Sequence, residues 1–274
     1  MSTTTAPARL SSLQRAGVST VAARDIAERR TMATFVGAGI GVFALGMAPL
    51  FNSIEQLLAD AMALFPEEMT AVIGGVDMAT PAGWLNAEIF SVTAPAAILA
   101  MAIIIGARTV GGEEEAGTLH PLLGTPVSRT RVAVEKLLAM AVLVAIARAL
   151  VFVGTIVGDA LAGTDIVWSA IAAVAAHLAL FGIAFGAIAT AVGAAVGRYK
   201  LSAVATGVLA ALAWVTATFL PLSDRIADAA KASPWYYYAS TAPIANGFAW
   251  GHLAALAGIA VRRCHPDHRH LQPA

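Results

Sequence analysis

Long apolar segments alternate with shorter polar segments along this chain, and the pattern predicts helices that cross a membrane. A spanning helix needs about 20 mostly apolar residues. Six segments come near that length: residues 32–51, 89–107, 137–157, 166–195, 201–222 and 242–261. The fourth segment is long enough to tilt or to extend past the bilayer. The sixth is the weakest, because Pro243, Asn246 and His252 interrupt it.

Three segments outside these spans have their own patterns. Residues 21–30 set a few apolar side chains against a charged face, which predicts an N-terminal interfacial helix in the headgroup plane. A solvated helical extension is the alternative. Residues 54–63 have apolar positions at helical spacing, with Pro66 after them, and predict a short helix on the outer surface. Residues 74–84 contain several turn formers and predict a link.

Composition supports an all-α polytopic membrane protein. Hydrophobic residues make up 58% of the chain and charged residues 12%, whereas soluble globular chains carry about 25% charged residues. The net charge is zero, so no overall positive field attracts nucleic acid. The expected organisation is a cytoplasmic arm over residues 1–31, a six-span membrane domain over residues 32–261 and a cytoplasmic tail over residues 262–274.

The distribution of charge between the loops predicts the orientation. Lys and Arg favour the cytoplasmic side of a membrane. They occur in the N-terminal arm, after the second span, after the fourth span and at the start of the tail. The loop at residues 52–81 carries acidic residues and neither Lys nor Arg, and the loop after the fifth span has only Arg225 and Lys231 as bases. We therefore expect a multi-pass protein of the cell membrane with both termini in the cytoplasm.

The cytoplasmic segment 111–136, between the second and third spans, is too polar to insert. Three glutamates at 113–115 precede a short apolar stripe, and Gly, Thr and Pro at 124–126 then break the chain. Ser128 can cap the next helix, which carries Arg129 and further bases before it enters the membrane. Acidic residues at one helix start and bases before the next span predict two short helices joined by a turn. Such a unit can dock into a groove on a soluble partner.

A run of residues in this segment resembles the signature of ABC-2 type transporter permeases, which follows the second span in that family. The matching residues, with Lys136 about seven positions later, are Glu113, Glu115, Gly117, Thr118, Leu122, Leu123, Pro126, Ser128 and Arg129. The resemblance implies that these residues belong to a coupling helix between helices 2 and 3, in contact with an ATPase subunit. It also implies a transporter of two permease subunits, identical or different, and two ATPase subunits that bind ATP and Mg²⁺.

The chain itself shows no sign of an ATP site, a catalytic centre or a cofactor site. The phosphate-binding pattern G-x-x-x-x-G-K-[ST] is absent from the sequence, as are G-x-S-x-G and H-E-x-x-H. Cys264, His265, His268 and His270 are metal-ligand residue types, but their spacing fits no structural zinc pattern, so we predict no metal site. A membrane enzyme and a membrane scaffold without transport activity remain the alternatives to a transporter.

A few side chains within or beside the spans are candidates for a transport pathway. Arg148 lies near the middle of the third span, where a charge costs about 2.5–3.5 kcal/mol on insertion scales. It and His177 in the fourth span either line the pathway or are bonded within the helix bundle. The aromatic run 235–238 predicts an anchoring belt at the membrane interface, with the rim of an opening for a hydrophobic cargo as the alternative.

The expected function is that of the permease subunit of an exporter. Mostly apolar spans favour a hydrophobic or amphipathic small molecule, such as a drug, an antibiotic or a lipid-like compound, over an ion. The direction of transport follows from the family resemblance alone. After Val261 the sequence departs from the family's pattern with Arg262, so we expect an aberrant tail over residues 262–274 and a marginally inserted sixth span.

Overall fold

The structure, a computed structural model, describes residues 7–62, 77–115 and 129–262, with side chains for residues 22–61, 77–109, 115 and 134–262. This part of the chain consists of helices and turns and contains no strand. It has nine α-helices: α1 (Pro7–Met62), α2 (Pro81–Leu85), α3 (Thr93–Glu115), α4 (Arg129–Ala162), α5 (Trp168–Val196), α6 (Tyr199–Phe219), α7 (Pro234–Ala239), α8 (Pro243–Asn246) and α9 (Trp250–Arg262). A π-helix (Asn86–Phe90) follows α2, and two 3₁₀ helices (Leu220–Leu222 and Ala227–Ala232) lie between α6 and α7.

Five helical stretches of the described chain are long and apolar enough to cross a membrane. They are Ala22–Ala61, Pro81–Thr109, Val134–Ala162, Trp168–Val196 and Tyr199–Leu222. The first five predicted spans lie within these stretches, apart from two residues at the start of the fourth. The prediction of an all-α membrane protein is therefore confirmed for the described residues.

The sixth predicted span is not one helix. Residues 242–261 divide into α8 and α9, which are separated at Gly247 (φ 79°, ψ −153°), a conformation that essentially only glycine adopts. Helix α9 has 13 residues and is about 20 Å long, less than the roughly 30 Å of a bilayer core. The prediction of six full-length spans is therefore not supported by the described residues, because the turn at Gly247 divides the last one.

Helix α1 combines three elements that the sequence analysis kept apart. Its 56 residues include the predicted interfacial helix at 21–30, the first span and residues 54–62 of the predicted outer helix. The two flanking segments are therefore not separate helices: residues 21–30 extend the first span, in agreement with the alternative of a helical extension, and the prediction of a separate outer helix is wrong. The helix continues through Asn52 and Ser53, where Asn52 Nδ2 donates to the Ala162 carbonyl at 2.7 Å, and extending a helix costs less than ending it and starting another.

Glycine residues allow α1 and α4 to pack backbone against backbone. A Cβ atom added at Gly41 would lie 2.6 Å from the Leu150 carbonyl oxygen, and one at Gly158 would lie 2.8 Å from the Cα atom of Leu45. A Cβ added at Gly154 would overlap the backbone of Gly41. Small residues at helix interfaces permit this close approach in lipid. The α1–α4 pair is therefore specified by the absence of side chains at a few positions.

Helix α5 lies at the centre of the bundle, and α6 lies at its edge. Helix α5 packs against α3, α4, α6, α8 and α9, and it buries Leu178, Phe181 and Phe185. Helix α6 leaves a long apolar face exposed, formed by Leu201, Val204, Val208, Leu212 and Val215. An apolar face of this kind suits contact with lipid or with another apolar surface.

The α1–α4 contact can be tested with two glycine substitutions. We expect Gly154→Ala to lower stability by about 1–3 kcal/mol, because its Cβ meets the Gly41 backbone and the helices must move apart. Gly46→Ala on α1 is the matched control, because nothing lies within 4 Å of its Cβ position. Thermal unfolding of both variants in the same detergent measures the difference. Equal unfolding midpoints would show that the α1–α4 contact is looser than described.

Candidate functional site

The described residues include only the two ends of the predicted coupling segment. Glu113 and Glu115 form the last turn of α3, and Arg129 begins α4. The prediction that the glutamates start a separate helix is therefore wrong: α3 continues past the apolar stretch, which ends at Thr109, and includes all three glutamates. The remaining predicted coupling residues, Gly117, Thr118, Leu122, Leu123, Pro126 and Ser128, lie outside the described residues.

A buried lysine joins α3 to α4 where both helices leave their apolar stretches. The Lys136 side chain on α4 is 5% exposed, and its Nζ donates a hydrogen bond to the Thr109 carbonyl at 2.8 Å. The Thr109 hydroxyl donates to the Ile105 carbonyl at 2.8 Å, and Arg29 Nη1 on α1 donates to that same carbonyl at 3.1 Å. Charged donors to carbonyls are among the stronger hydrogen bonds in proteins. We call these residues, together with Arg108, Glu115 and Tyr199, the Lys136 cluster.

The other half of the Lys136 cluster connects α3 to α6. The backbone N–H of Tyr199 donates to Glu115 Oε2 at 3.3 Å, and the Arg108 guanidinium lies 4.7 Å from the centre of the Tyr199 ring. Glu115 and Arg108 are on α3, so contacts from α1, α4 and α6 all converge on the end of that helix.

The two predicted pathway residues differ in their surroundings. Arg148 on α4 is partly buried, and it has neither a hydrogen bond nor an ion pair within the described part of the chain. His177 on α5 is fully buried, with Nδ1 2.9 Å from the Ala173 carbonyl oxygen. Its Nε2 atom is buried and has no hydrogen-bond partner among the described residues. The interpretation that these residues are bonded within the helix bundle therefore has no support for Arg148. It has partial support for His177, which contacts one backbone carbonyl.

The aromatic run 235–238 does not form a simple interfacial belt. Trp235 is 5% exposed and Tyr238 is 2% exposed, and both pack on Phe181 of α5, with ring centres 5.1 Å and 4.8 Å away. Tyr236 and Tyr237 instead contact the ring of His252 on α9, at 5.5 Å and 5.3 Å. The belt prediction is wrong for Trp235 and Tyr238, because α7 folds inward and places these two side chains, three positions apart on one face of the helix, in the core.

A turn at Ser91 and Val92 interrupts the second spanning stretch between the π-helix and α3, and hydroxyl groups form hydrogen bonds beside it. Tyr238 on α7 donates to the Phe90 carbonyl at 2.6 Å, and Thr93 Oγ1 donates to the Glu88 carbonyl at 2.9 Å. Pro95 has no N–H to donate to the turn before it, and the two hydroxyl bonds lie in that same region of the chain. The π-helix Asn86–Phe90 lies at this break, and π-helical turns are frequent at functional sites.

A cavity of about 390 Å³ opens beside this break. Its walls combine aromatic rings with uncharged polar groups; they include Asn86, Phe90, Ser91, Trp214, Thr218, Trp235, Tyr236 and Ser240.

On the loop between α6 and α7, Lys231 Nζ lies 2.6 Å from Asp228 Oδ1 and lowers the pKa of that carboxyl group. Both groups are exposed, so the pair adds little to stability, but it offsets one of the two bases in this loop.

Comparison with known families decides what this helix bundle belongs to. The model of the family described as ABC-2 family transporter protein matches residues 19–242, which is most of the chain. The chain belongs to the ABC-2 transporter family. No match was found among curated proteins or among solved structures. As an ABC-2 family member, the chain is a multi-pass membrane protein and an ABC transporter permease.

Sequence reasoning missed several residues of this ABC-2 permease that the fold brings together. It recognised Lys136 as part of the family signature but did not predict its bond to Thr109. It treated His252 only as an interruption of a span, whereas the His252 ring packs on Tyr236 and Tyr237. A polar residue within an apolar segment was the available signal in both cases, because such a side chain needs a partner in the fold.

Substitution of Tyr238 tests the contact between α7 and the break in the second stretch. We expect Tyr238→Phe to cost about 1–3 kcal/mol, because the Phe90 carbonyl loses its buried donor while the ring remains. Tyr237→Phe is the matched control, since the Tyr237 hydroxyl has no hydrogen bond in the described structure. The two unfolding midpoints, measured in the same lipid nanodiscs, give the comparison. Equal losses in both variants would show that the hydrogen bond from Tyr238 to the Phe90 carbonyl does not stabilise the protein.

Proposed function

We propose that this ABC-2 permease is the membrane subunit of an exporter that moves a hydrophobic or amphipathic small molecule across the cell membrane. A separate ATPase subunit, present in two copies, supplies the energy, and a second permease subunit completes the complex. The family match over residues 19–242 supports this most directly, and the structure adds the bond from Lys136 to Thr109. This bond joins the two helices that carry the predicted coupling segment at the point where they enter the membrane.

The Lys136 cluster offers a route for force from the ATPase to the helices. Segment 116–128 connects the end of α3 to the start of α4. A rigid-body displacement of that segment moves both helices together, because Lys136 holds them at fixed distance. Arg29 and Tyr199 extend the same displacement to α1 and α6. Rigid helices that move about a packed interface are a common basis of alternating conformations.

Both termini and residues 113–136 are proposed to lie in the cytoplasm. The loop charges support this orientation, and Arg29 reaches Ile105 at the same end of the bundle as Lys136. Five long helices alone would leave the two ends of the chain on opposite sides. For both termini to be cytoplasmic, the segment from α7 to α9 has to cross the membrane once more. We propose that it does so as a broken and shortened sixth span. Helix α9 packs against α5 and α7, which supports this path.

Accessibility labelling tests the orientation. In a variant whose Cys264 is replaced by Ser, a cysteine placed at Thr118 should react with an impermeant maleimide only after the cells are opened. A cysteine placed at Ser53, at the opposite end of the first span, should react in intact cells. Reaction of the position 118 cysteine from outside would reverse the proposed topology.

Charge reversal tests the coupling role of the acidic end of α3. The double variant Glu113→Lys and Glu115→Lys should reduce association with the ATPase subunit by about tenfold or more, because interfacial charge pairs become repulsive. Insertion of the permease should not change. The matched control is Glu55→Lys with Asp60→Lys, which reverses two charges on α1 at the opposite end of the bundle. Co-purification of the permease with an ABC ATPase subunit, with ATP hydrolysis measured in the same preparation, decides. Full association and transport in the Glu113 and Glu115 variant would contradict the assignment.

A further inference from the structure

We infer that Arg148 binds the negative charge of the transported molecule, so that the cargo is an anionic amphiphile. This inference rests on the proposed export function and assigns it a substrate class. It depends on the depth of Arg148, on its lack of a partner and on the distribution of acidic residues along the spans.

Arg148 lies as deep in the membrane as its helix allows. It is the central residue of the apolar stretch Val134–Ala162, which has 29 residues. Each end of that stretch is about 21 Å away along the helix. The arginine side chain is too short to bring its guanidinium to either headgroup layer, so snorkelling does not relieve the cost of its charge. A central arginine costs about 2.5–3.5 kcal/mol on insertion scales, and such residues face a partner or a polar cavity.

No partner for Arg148 exists within the described chain. Arg148 has no hydrogen bond or ion pair there, and it is partly exposed on the surface of the protomer. Its neighbours one turn away on α4, Val144 and Val151, are buried and apolar. The Arg148 guanidinium is thus a cation between apolar neighbours on its own helix, and its exposed part is accessible at the surface of the protomer.

The spanning stretches of a second copy of the chain do not supply an anion at the depth of Arg148. No Asp or Glu occurs in Trp168–Val196 or Tyr199–Leu222. The acidic residues of the other spanning stretches lie towards their ends: Asp25, Glu28, Glu55, Asp60, Glu88, Glu135 and Asp159. Asp159 is already engaged, since its Oδ1 accepts the N–H of Ile166 at 3.2 Å. The described spanning stretches of a homodimer therefore offer no carboxylate at the depth of Arg148, which favours an anion carried by the cargo.

The chemistry of arginine fits such a cargo. Its planar guanidinium binds carboxylate, sulfonate or phosphate groups through paired hydrogen bonds and stays charged at any physiological pH. Attraction between opposite charges is much stronger in the apolar interior than in water. A molecule that joins one anionic group to a long apolar part would match both Arg148 and the apolar residues around it.

Three probes with one tail and different head charges test this inference. The full chain is placed in phosphatidylcholine nanodiscs and titrated with pyrene-labelled hexadecyl sulfonate, the corresponding alcohol and the corresponding trimethylammonium compound. In the wild type the sulfonate should bind about tenfold tighter than the alcohol, as expected for a charge-assisted hydrogen bond. Arg148→Lys should keep most of that preference, and Arg148→Gln should abolish it. Arg225→Gln, which removes an exposed loop charge, is the control and should keep it.

Three results would overturn the inference. Equal affinity for the three probes in the wild type would show that no anion site exists. Loss of the preference when part of the lipid is phosphatidylglycerol would assign Arg148 to a membrane lipid headgroup and not to a cargo. Dissociation of the permease pair, or a clear fall in unfolding temperature, in Arg148→Gln would assign Arg148 to subunit contact or to a structural bond. Removal of an unpaired buried charge should instead leave stability unchanged or raise it.

The probe titration is independent of the ATPase experiment. A permease that couples to the ATPase but shows no preference for the sulfonate would keep the export proposal and overturn this inference. A permease that binds the sulfonate through Arg148 without associating with an ATPase would support the anion site and contradict the proposed function.

Discussion

Water is absent from the core of a bilayer, so each backbone amide and carbonyl group must find its partner inside the protein. The described chain meets this constraint with helices, whose backbone groups bond within the segment. Where the second spanning stretch breaks, hydroxyl groups donate to backbone carbonyls, as Tyr238 does to the Phe90 carbonyl. Tyr238 can reach Phe90 only because α7 folds back against α5. The break in one helix and the inward fold of a later one therefore depend on each other.

The same solvent changes what holds helices together. Lipid tails are as apolar as leucine side chains, so association depends on close packing and on polar contacts more than on burial of apolar surface. Helices α1 and α4 achieve close packing through Gly41, Gly154 and Gly158. Helices α3 and α4 are joined by the polar contact from Lys136 to Thr109. The bundle thus combines one tight apolar pair with a polar connection at the end from which the coupling segment extends.

The two ends of the bundle differ in a way that suits a transporter. At one end, charged side chains join four helices beside segment 116–128. At the other, aromatic rings and uncharged polar groups surround a cavity of about 390 Å³. Arg148 lies between these ends as a single cation among apolar residues. The proposed coupling surface and the aromatic cavity therefore lie at opposite ends of the bundle, with the proposed anion-binding residue Arg148 at a depth between them.

The sequence alone determined the class of protein, the first five spans and the family, because these depend on local composition and on one continuous signature. It also singled out Arg148, since a charge within an apolar run is visible without a structure. Tertiary structure decided where helices end and which polar groups meet. The continuity of α1 through residues 21–62 and the division at Gly247 depend on competition between extending a helix and packing its ends. The pairing of Lys136 with Thr109, like that of Tyr238 with Phe90, joins residues far apart in the chain. No local pattern specifies such partners, because they are selected only when the helices pack together.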